Sequence, residues 1–348
     1  MKIIITMAQS LFVSGGAEHH ALNLKTALLS AGHEAEIVNI PMHDDPVTGL
    51  EDQILAMRLF NIEHTFTGDS DLCIGLKFPS YYIRHPNKVI WLLHQFRPAY
   101  DLWQSDISNM HLQPGGHRMK EIITNADNLY LKEAKSIFAN SGNVAGRLKK
   151  FNQIDSTPLY HPCPDMESFY CGNYSNYILM PSRINLTKRQ MLAVEAMVYT
   201  KSDIHLYIVG KADNPDVLKK IKQFVNERGL EKRIRFFDFV VHEEKLELYA
   251  HARAVMFIPY DEDYGYITLE AMSASKTVIT ATDSGGPLEF VEHDKTGLVV
   301  PPDPVELAKA IDEVARSKSY AEKLGAEAKK HLTDMNITWD NVVKELTR

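Results

Sequence analysis

The stretch AVMFIPYDEDYGYITLEAMSAS, residues 254–275, decides how this chain folds. Its opening run, AVMFIP (254–259), is short and apolar and reads as a buried strand. Its closing run, YITLEAMSAS (266–275), reads as the first turns of a helix. One carboxylate, Glu262, therefore hangs in the loop at the carboxyl end of a strand. A second, Glu270, eight positions on, lies on the helix that follows. Open α/β sheets bind ligands at that edge. Two hydrogen-bond acceptors at this spacing suit hydroxyl recognition, as on a sugar and a ribose. DEDYG (261–265) is also ordinary solvated turn chemistry, so both readings stand at this point.

Outward from this stretch the same alternation repeats. YILMPS (177–182), IHLYIVG (204–210), RIRFFDF (233–239), TVITA (277–281) and GLVV (297–300) read as further strands with helices between them. The first half alternates likewise: KIIITM (2–7), EAEIVNI (34–40), DLCIGL (71–76), KVIWLL (88–93) and SIFANS (136–141) are strands, and 17–32 is an amphipathic helix with a glycine stop. The stretch 94–135 is helical but broken by Pro98 and by PGG at 114–116. Alternation of this kind means parallel sheets covered by helices on both faces, an α/β protein. The proline-rich stretch 158–176 has little periodicity and marks a boundary. The expected domains are 1–160, a linker 161–176, a second domain 177–330, and a terminal helix over 331–348.

Composition narrows the function. A length of 348 residues suits two cores better than one. The net charge is −7, and neither half is basic: 14 Lys+Arg face 16 Asp+Glu in the first 160 residues, leaving 24 against 29. Nucleic acid is thus an unsuitable partner, and no large polybasic membrane patch is visible. Three cysteines without metal-like spacing suit a reducing cytoplasm. The apolar start MKIIITM reads as a strand rather than a signal peptide, and no apolar run nears the ~18 residues of a membrane span.

Four other places bear polar residues at strand ends. Ser14-Gly15-Gly16-Ala17 joins the first strand to the first helix, where glycines let amides approach an anion, or simply make a tight turn. His94 ends WLLH and opens HQFRPAYDLW (94–103); it reads as a ligand contact or as a satisfied structural histidine. Arg97, Tyr100 and Trp103 share that loop and are candidate acceptor contacts, since sugars stack on aromatic rings. Arg183 and Lys188 follow YILMPS, as diphosphate ligands or as an exposed basic loop; neighbouring Arg189 can take the place of either. Gly285, Gly286 and Glu289 lie in TDSGGPLEF (282–290), where the glycines leave room for a nucleotide and Glu289 suits a helix start.

These islands, SGGAEHHALNL, WLLHQFRPAYDLW, PSRINLTKRQ, the glutamate pair and TDSGGPLEFVEHDKTGLVVPPDP, resemble the retaining, nucleotide-sugar-dependent glycosyltransferases of family 4 type, the glycogen- and sucrose-synthase-like group 1. The resemblance spans nearly the whole chain. It implies the GT-B fold: two Rossmann-like domains facing across a cleft, the last helix crossing back to the first. It also implies residue roles. Gly15 and Gly16 lie near the donor phosphate or reacting sugar, and His94 hydrogen-bonds the sugar and supports the charged transition state. Arg183 and Lys188 hold the leaving diphosphate. Glu262 binds sugar hydroxyls, Glu270 the ribose, and the amides of Tyr264, Gly265, Tyr266 and Ile267 lie near the phosphates. The family usually has glycine after its lysine, so Arg189 is a departure.

The expected activity is retaining transfer of a sugar from a UDP- or GDP-sugar to an acceptor hydroxyl, in cell-surface polysaccharide or lipopolysaccharide assembly. No cofactor or metal is expected, because the fold uses cations and helix ends instead. The expected partners are the nucleotide sugar and a glycan, lipid-linked or small-molecule acceptor, with at most peripheral membrane contact. The expected location is the cytoplasm, at most at the inner face of the membrane. The rivals are a nucleotide-sugar epimerase of the same fold, a non-catalytic nucleotide-sugar-binding subunit, and a two-lobed solute-binding protein, which lacks an export signal.

Overall fold

The computed structural model describes residues 1–12 and 15–348. Ser14, part of the first glycine turn, lies outside the described residues. The chain forms two compact units: Met1–Pro164 with Thr338–Arg348, and Asp165–Ile337.

Unit 1 begins with β1 (Lys2–Gln9), α1 (Gly16–Ser30), β2 (Glu34–Pro41) and α2 (Leu50–Leu59). A two-residue hairpin, β3 (His64–Thr65) and β4 (Gly68–Asp69), precedes β5 (Leu72–Lys77) and β6 (Lys88–His94). Then come α3 (Gly116–Tyr130), β7 (Ser136–Ala139), α4 (Gly142–Asn152) and β8 (Thr157–Pro158). The sheet order is β2-β1-β5-β6-β7-β8, and its pairings are all parallel. The six interior residues of β1 are all buried, as expected of a parallel strand covered on both faces. The expected irregularity after His94 takes the form of two 3-10 turns before α3, which starts at the last glycine of PGG, after Gly115, left-handed at φ 79°.

Unit 2 holds β9 (Tyr177–Pro181), α5 (Gln190–Tyr199), β10 (His205–Val209), α6 (Pro215–Glu227), β11 (Ile234–Phe237) and α7 (His242–His251). It continues with β12 (Ala254–Met256), α8 (Tyr266–Ser273), β13 (Thr277–Ala281), β14 (Gly297–Val300), α9 (Pro304–Arg316) and α10 (Lys318–Asp334). Its parallel sheet runs β11-β10-β9-β12-β13-β14. The chain builds outward from β9 through β11. It then returns to the other side of β9 and builds outward again from β12. The connections leaving β9 and β12 therefore diverge, which opens a crevice at the carboxyl ends of this neighbouring pair.

The final helix, α11 (Trp339–Leu346), packs in unit 1: Val342, Val343 and Leu346 are buried in one cluster with Ile3, Leu24 and Trp91. Around Trp339 stand Trp91 and two buried histidines, His20 and His161, whose Nδ1 and Nε2 lie 3.1 Å apart. Burial holds both rings well below the usual histidine range, His161 down to about 3. Compared with the expected boundaries, residues 161–164 stay with unit 1, and residue 331 falls inside α10.

A second buried polar node in unit 1 lies behind β6. Asp127 of α3 accepts hydrogen bonds from Tyr81 (2.9 Å) and Tyr82 (2.7 Å) on one oxygen and from Tyr100 (2.6 Å) on the other. Burial pushes its carboxyl up to about 6, against the opposing effect of the three hydroxyls. Asn152 extends the node, donating to Tyr100 and Asn128 and accepting from Gln95. Among the described residues no helix is long and apolar enough to cross a membrane.

Candidate functional site

Three loops of unit 2 meet at the carboxyl ends of β9, β12 and β13, and backbone hydrogen bonds sew them together. Tyr260 N donates to Thr187 O (2.7 Å), Asp261 N to Asp283 O (2.9 Å), Glu262 N to Ser284 O (2.9 Å), and Gly286 N to Glu262 O (2.8 Å). Local residues set each loop. Asn185 Oδ1 accepts from Lys188 N (3.0 Å) and Thr187 Oγ1 (2.8 Å), turning the chain into α5. Buried Gln190 reaches back to Ser182 Oγ and the Arg183 carbonyl, closing the same loop. Gly286 is required by close approach, because a Cβ there would lie 2.6 Å from the Tyr264 carbonyl oxygen.

The crevice between β9 and β12 is bridged by the side chains the sequence singles out. Lys188 Nζ lies 2.5 Å from Glu262 Oε2, with 15% and 22% of the two side chains exposed. Arg189 forms a bidentate pair with Asp283, both contacts at 2.7 Å. Its backbone is left-handed at φ 57°, a conformation that glycine adopts freely, and glycine is the residue the resembled family has there. Arg183 is more exposed and reaches Asp213 at 3.2 Å. Tyr264 is buried, edge-on to Tyr266 and Phe290. Gly265, at φ 89°, hands the chain into α8, so the Tyr266 and Ile267 amides belong to a helix amino terminus that favours anions.

Glu270 lies on α8 and is buried. Lys245 of α7 donates to its Oε1 (2.6 Å), and Tyr249, one turn further along α7, donates to its Oε2 (2.5 Å). Glu262 and Glu270 thus have different partners: one carboxylate bridges the switch point, and the other is clasped by a neighbouring helix. The sequence alone gives Lys245, Tyr249, Asp213 and Asp283 no donor role. The i,i+4 spacing of Lys245 and Tyr249 shows one shared helix face, yet nothing in the sequence names Glu270 as what that face meets.

In unit 1, Gly15 caps α1, and its amide donates to Glu18 Oε2 (2.8 Å). Gly16 is the first helical residue. His94 ends β6 half-buried, with Nδ1 2.7 Å from the Gln95 carbonyl oxygen, which puts the proton on Nδ1 and makes Nε2 the acceptor of the neutral ring. Arg97 is held by Asp101 at 2.6 Å. Tyr100 and Trp103 correct the expectation of stacking platforms. They are 7% and 8% exposed. Tyr100 points its hydroxyl at Asp127, and Trp103 packs against His117 beneath the Lys120 ammonium. Tyr100 turns inward to give its hydroxyl to Asp127 of α3, a partner that the loop's own sequence does not show.

Asp261 and Asp263 flank Glu262 at a D-x-D spacing. Among the described residues no three His, Cys, Asp or Glu side chains are gathered as a metal site.

Residues 172–331 match the family described as Glycosyl transferases group 1. Unit 2 belongs to this family. Its similar proteins include the alpha-1,3/1,6-mannosyltransferase ALG2 of Homo sapiens, 31% identical over 161 residues, covering 42% of this chain and 38% of the relative. The D-inositol 3-phosphate glycosyltransferase of Corynebacterium diphtheriae is 28% identical over 118 residues, 34% of this chain and 27% of the relative. The matches span 32–38% of the length of the ALG2 proteins of human, mouse and Dictyostelium discoideum. Among solved structures, sucrose-phosphate synthase (tll1590) from Thermosynechococcus elongatus superposes with a TM-score of 0.81 at 17% identity, covering 99% of this chain and 97% of that one. Anabaena Alr3699/HepE, solved with UDP and glucose, gives 0.71 at 17%, covering 100% and 98%. At these identities the likeness is one of fold, the GT-B fold of two Rossmann-like domains. The group 1 domain is the one that carries the Lys188–Glu262 bridge.

Proposed function

We propose that this chain transfers a glycosyl group from a nucleoside-diphosphate sugar, UDP- or GDP-linked, to an acceptor hydroxyl, with retention at the anomeric carbon and without a metal. The observation that carries the reading is the Lys188–Glu262 contact at the switch point of the group 1 domain. It pairs a cation with a carboxylate at the edge where open α/β sheets bind ligands, which supports a phosphate-binding role for Lys188 and a sugar-binding role for Glu262. The activities of two relatives, a mannosyltransferase and an inositol-phosphate glycosyltransferase, support sugar transfer.

In this reading the bond from the anomeric carbon to the β-phosphate oxygen breaks as the bond to the acceptor oxygen forms on the same face. The acceptor proton passes to the departing phosphate oxygen. Lys188, with Arg183 and Arg189, stabilises the charge left on the diphosphate, which is where fixed cations contribute most. Glu262 holds the sugar hydroxyls and Glu270 the ribose. The α8 amino terminus from Gly265 to Ile267 faces the phosphates. Gly15, Gly16 and His94 keep the donor-side roles implied by resemblance, and Arg97 remains a candidate for the acceptor. The acceptor class is a glycan, lipid-linked or small-molecule hydroxyl compound of cell-surface polysaccharide or lipopolysaccharide synthesis.

The test is incubation with labelled UDP- and GDP-sugars, with and without an acceptor pool, in chelator. Acceptor-dependent release of one diphosphate, abolished in Lys188→Ala, supports the reading. Conversion of the donor sugar without acceptor points to an epimerase. Binding without turnover points to a non-catalytic subunit. Activity lost in chelator and restored by manganese or magnesium overturns metal independence.

A further inference from the structure

A carboxylate offers about four lone-pair directions, two on each oxygen. At Glu270 one direction on each oxygen is taken: Lys245 binds Oε1 at 2.6 Å and Tyr249 binds Oε2 at 2.5 Å. One direction therefore remains on each oxygen, the pattern that a vicinal diol such as the 2′- and 3′-hydroxyls of a ribose satisfies with two parallel hydrogen bonds. The two donors are themselves fixed. Lys245 and Tyr249 stand one turn apart on α7. Tyr249 is fully buried and edge-on to Phe169, and the Lys245 ammonium lies 5.4 Å from the centre of the same ring. A lone buried glutamate on a helix has several rotamers. This clasp ties down both oxygens of the carboxylate.

We infer that Lys245 and Tyr249 are positioning residues that orient the Glu270 carboxylate for a ribose diol, and so make the site selective for ribonucleotides over 2′-deoxyribonucleotides. The inference rests on the proposed donor site. It adds two residues outside that site and a substrate discrimination that the site alone does not specify. Tyr249→Phe removes one donor with no change of shape. Lys245→Met removes the other and keeps an unbranched chain of similar length. Lys245→Arg keeps a charged donor.

The experiment is calorimetric titration of the full chain with UDP and GDP, with the 2′-deoxy form of whichever binds, and with inorganic pyrophosphate. Thermal melts verify that each variant is folded. The wild type is expected to prefer the ribonucleotide at least tenfold. Tyr249→Phe and Lys245→Met are expected to lose most of that preference, with pyrophosphate affinity within twofold of wild type, and Lys245→Arg to restore part of it. A folded Tyr249→Phe and a folded Lys245→Met that both keep the full preference overturn the inference. So does a wild type that binds ribo- and deoxyribonucleotide equally. A wild type that binds neither UDP nor GDP overturns the donor site itself, which is a different failure.

Discussion

Asp127 in unit 1 and Glu262 in unit 2 are both carboxylates met by donors, but in opposite surroundings. Asp127 is wholly buried under three tyrosine hydroxyls, and burial moves its carboxyl up to about 6. Glu262 faces Lys188 in a loop at a sheet edge, with about a fifth of its side chain in solvent. The first arrangement has filled both carboxylate oxygens with protein donors and ties together Tyr81, Tyr82, Tyr100 and α3. The second holds its charges in pairs that water reaches. A diphosphate can draw on Lys188 there without first prising open a core. A buried node of this kind stabilises the fold, and an edge pair of this kind is open to a ligand.

The largest expected effect comes from breaking the node. Asp127→Ala leaves three buried hydroxyls without their acceptor, at about 1–3 kcal/mol for each one left unsatisfied. A loss of roughly 3–5 kcal/mol is expected in denaturant unfolding. The matching change at the edge reverses the pattern: Lys188→Ala is expected to lower the rate of transfer by ~10²–10³, while costing under about 1 kcal/mol of stability, as partly exposed ion pairs do. Steady-state rates and unfolding curves for the two variants test the contrast together. Comparable stability losses in both would erase it.

A pH series sharpens the same contrast. The folded protein binds the Asp127 proton more tightly than the unfolded chain, whose carboxyl titrates near 3.8. This group therefore adds stability below pH 4, and the contribution fades as pH rises towards 6. Moving that midpoint from 3.8 to about 6 corresponds to at most roughly 3 kcal/mol. His20 and His161 act in the opposite direction, since burial keeps them neutral and acid costs stability. Comparison with Asp127→Asn isolates the first effect. The wild type should gain on the variant as pH falls from 7 to 4, and a difference flat in pH would contradict the burial argument. A smaller effect is expected at Tyr100→Phe: about 1 kcal/mol of stability for one hydrogen bond, with acceptor preference unchanged. A large shift in acceptor preference would return Tyr100 to the site. The smallest is Arg189→Gly, where relief of the left-handed backbone and loss of the Asp283 pair nearly cancel, to within about 1 kcal/mol in thermal unfolding.

Much of this architecture is legible along the chain because it depends on local pattern. The apolar runs TVITA and GLVV become β13 and β14 without change, and AVMFIP shortens to Ala254–Met256 as the chain bends into its loop. The candidate donor residues stand out in the sequence because each lies in a segment that follows an apolar strand. Side-chain pairing was not legible. Arg189 finds Asp283 across 94 positions and Glu270 finds Lys245 across 25, and no periodicity encodes either. Tyr100 shows the same limit: HQFRPAYDLW looks like an open aromatic loop until Asp127, elsewhere in the chain, draws Tyr100 inward.

The central claim is that the switch point of the group 1 domain binds a nucleoside diphosphate. Its most direct test is titration of the wild type with UDP and GDP by calorimetry or thermal shift, repeated with Lys188→Ala and Glu270→Ala. A ligand that binds only the native state at a hundredfold excess over Kd adds about 2.7 kcal/mol of apparent stability. The account predicts such a shift with one of the two nucleotides, weakened in both variants. No shift with either nucleotide in the folded wild type, or an equal shift in all three proteins, would contradict it.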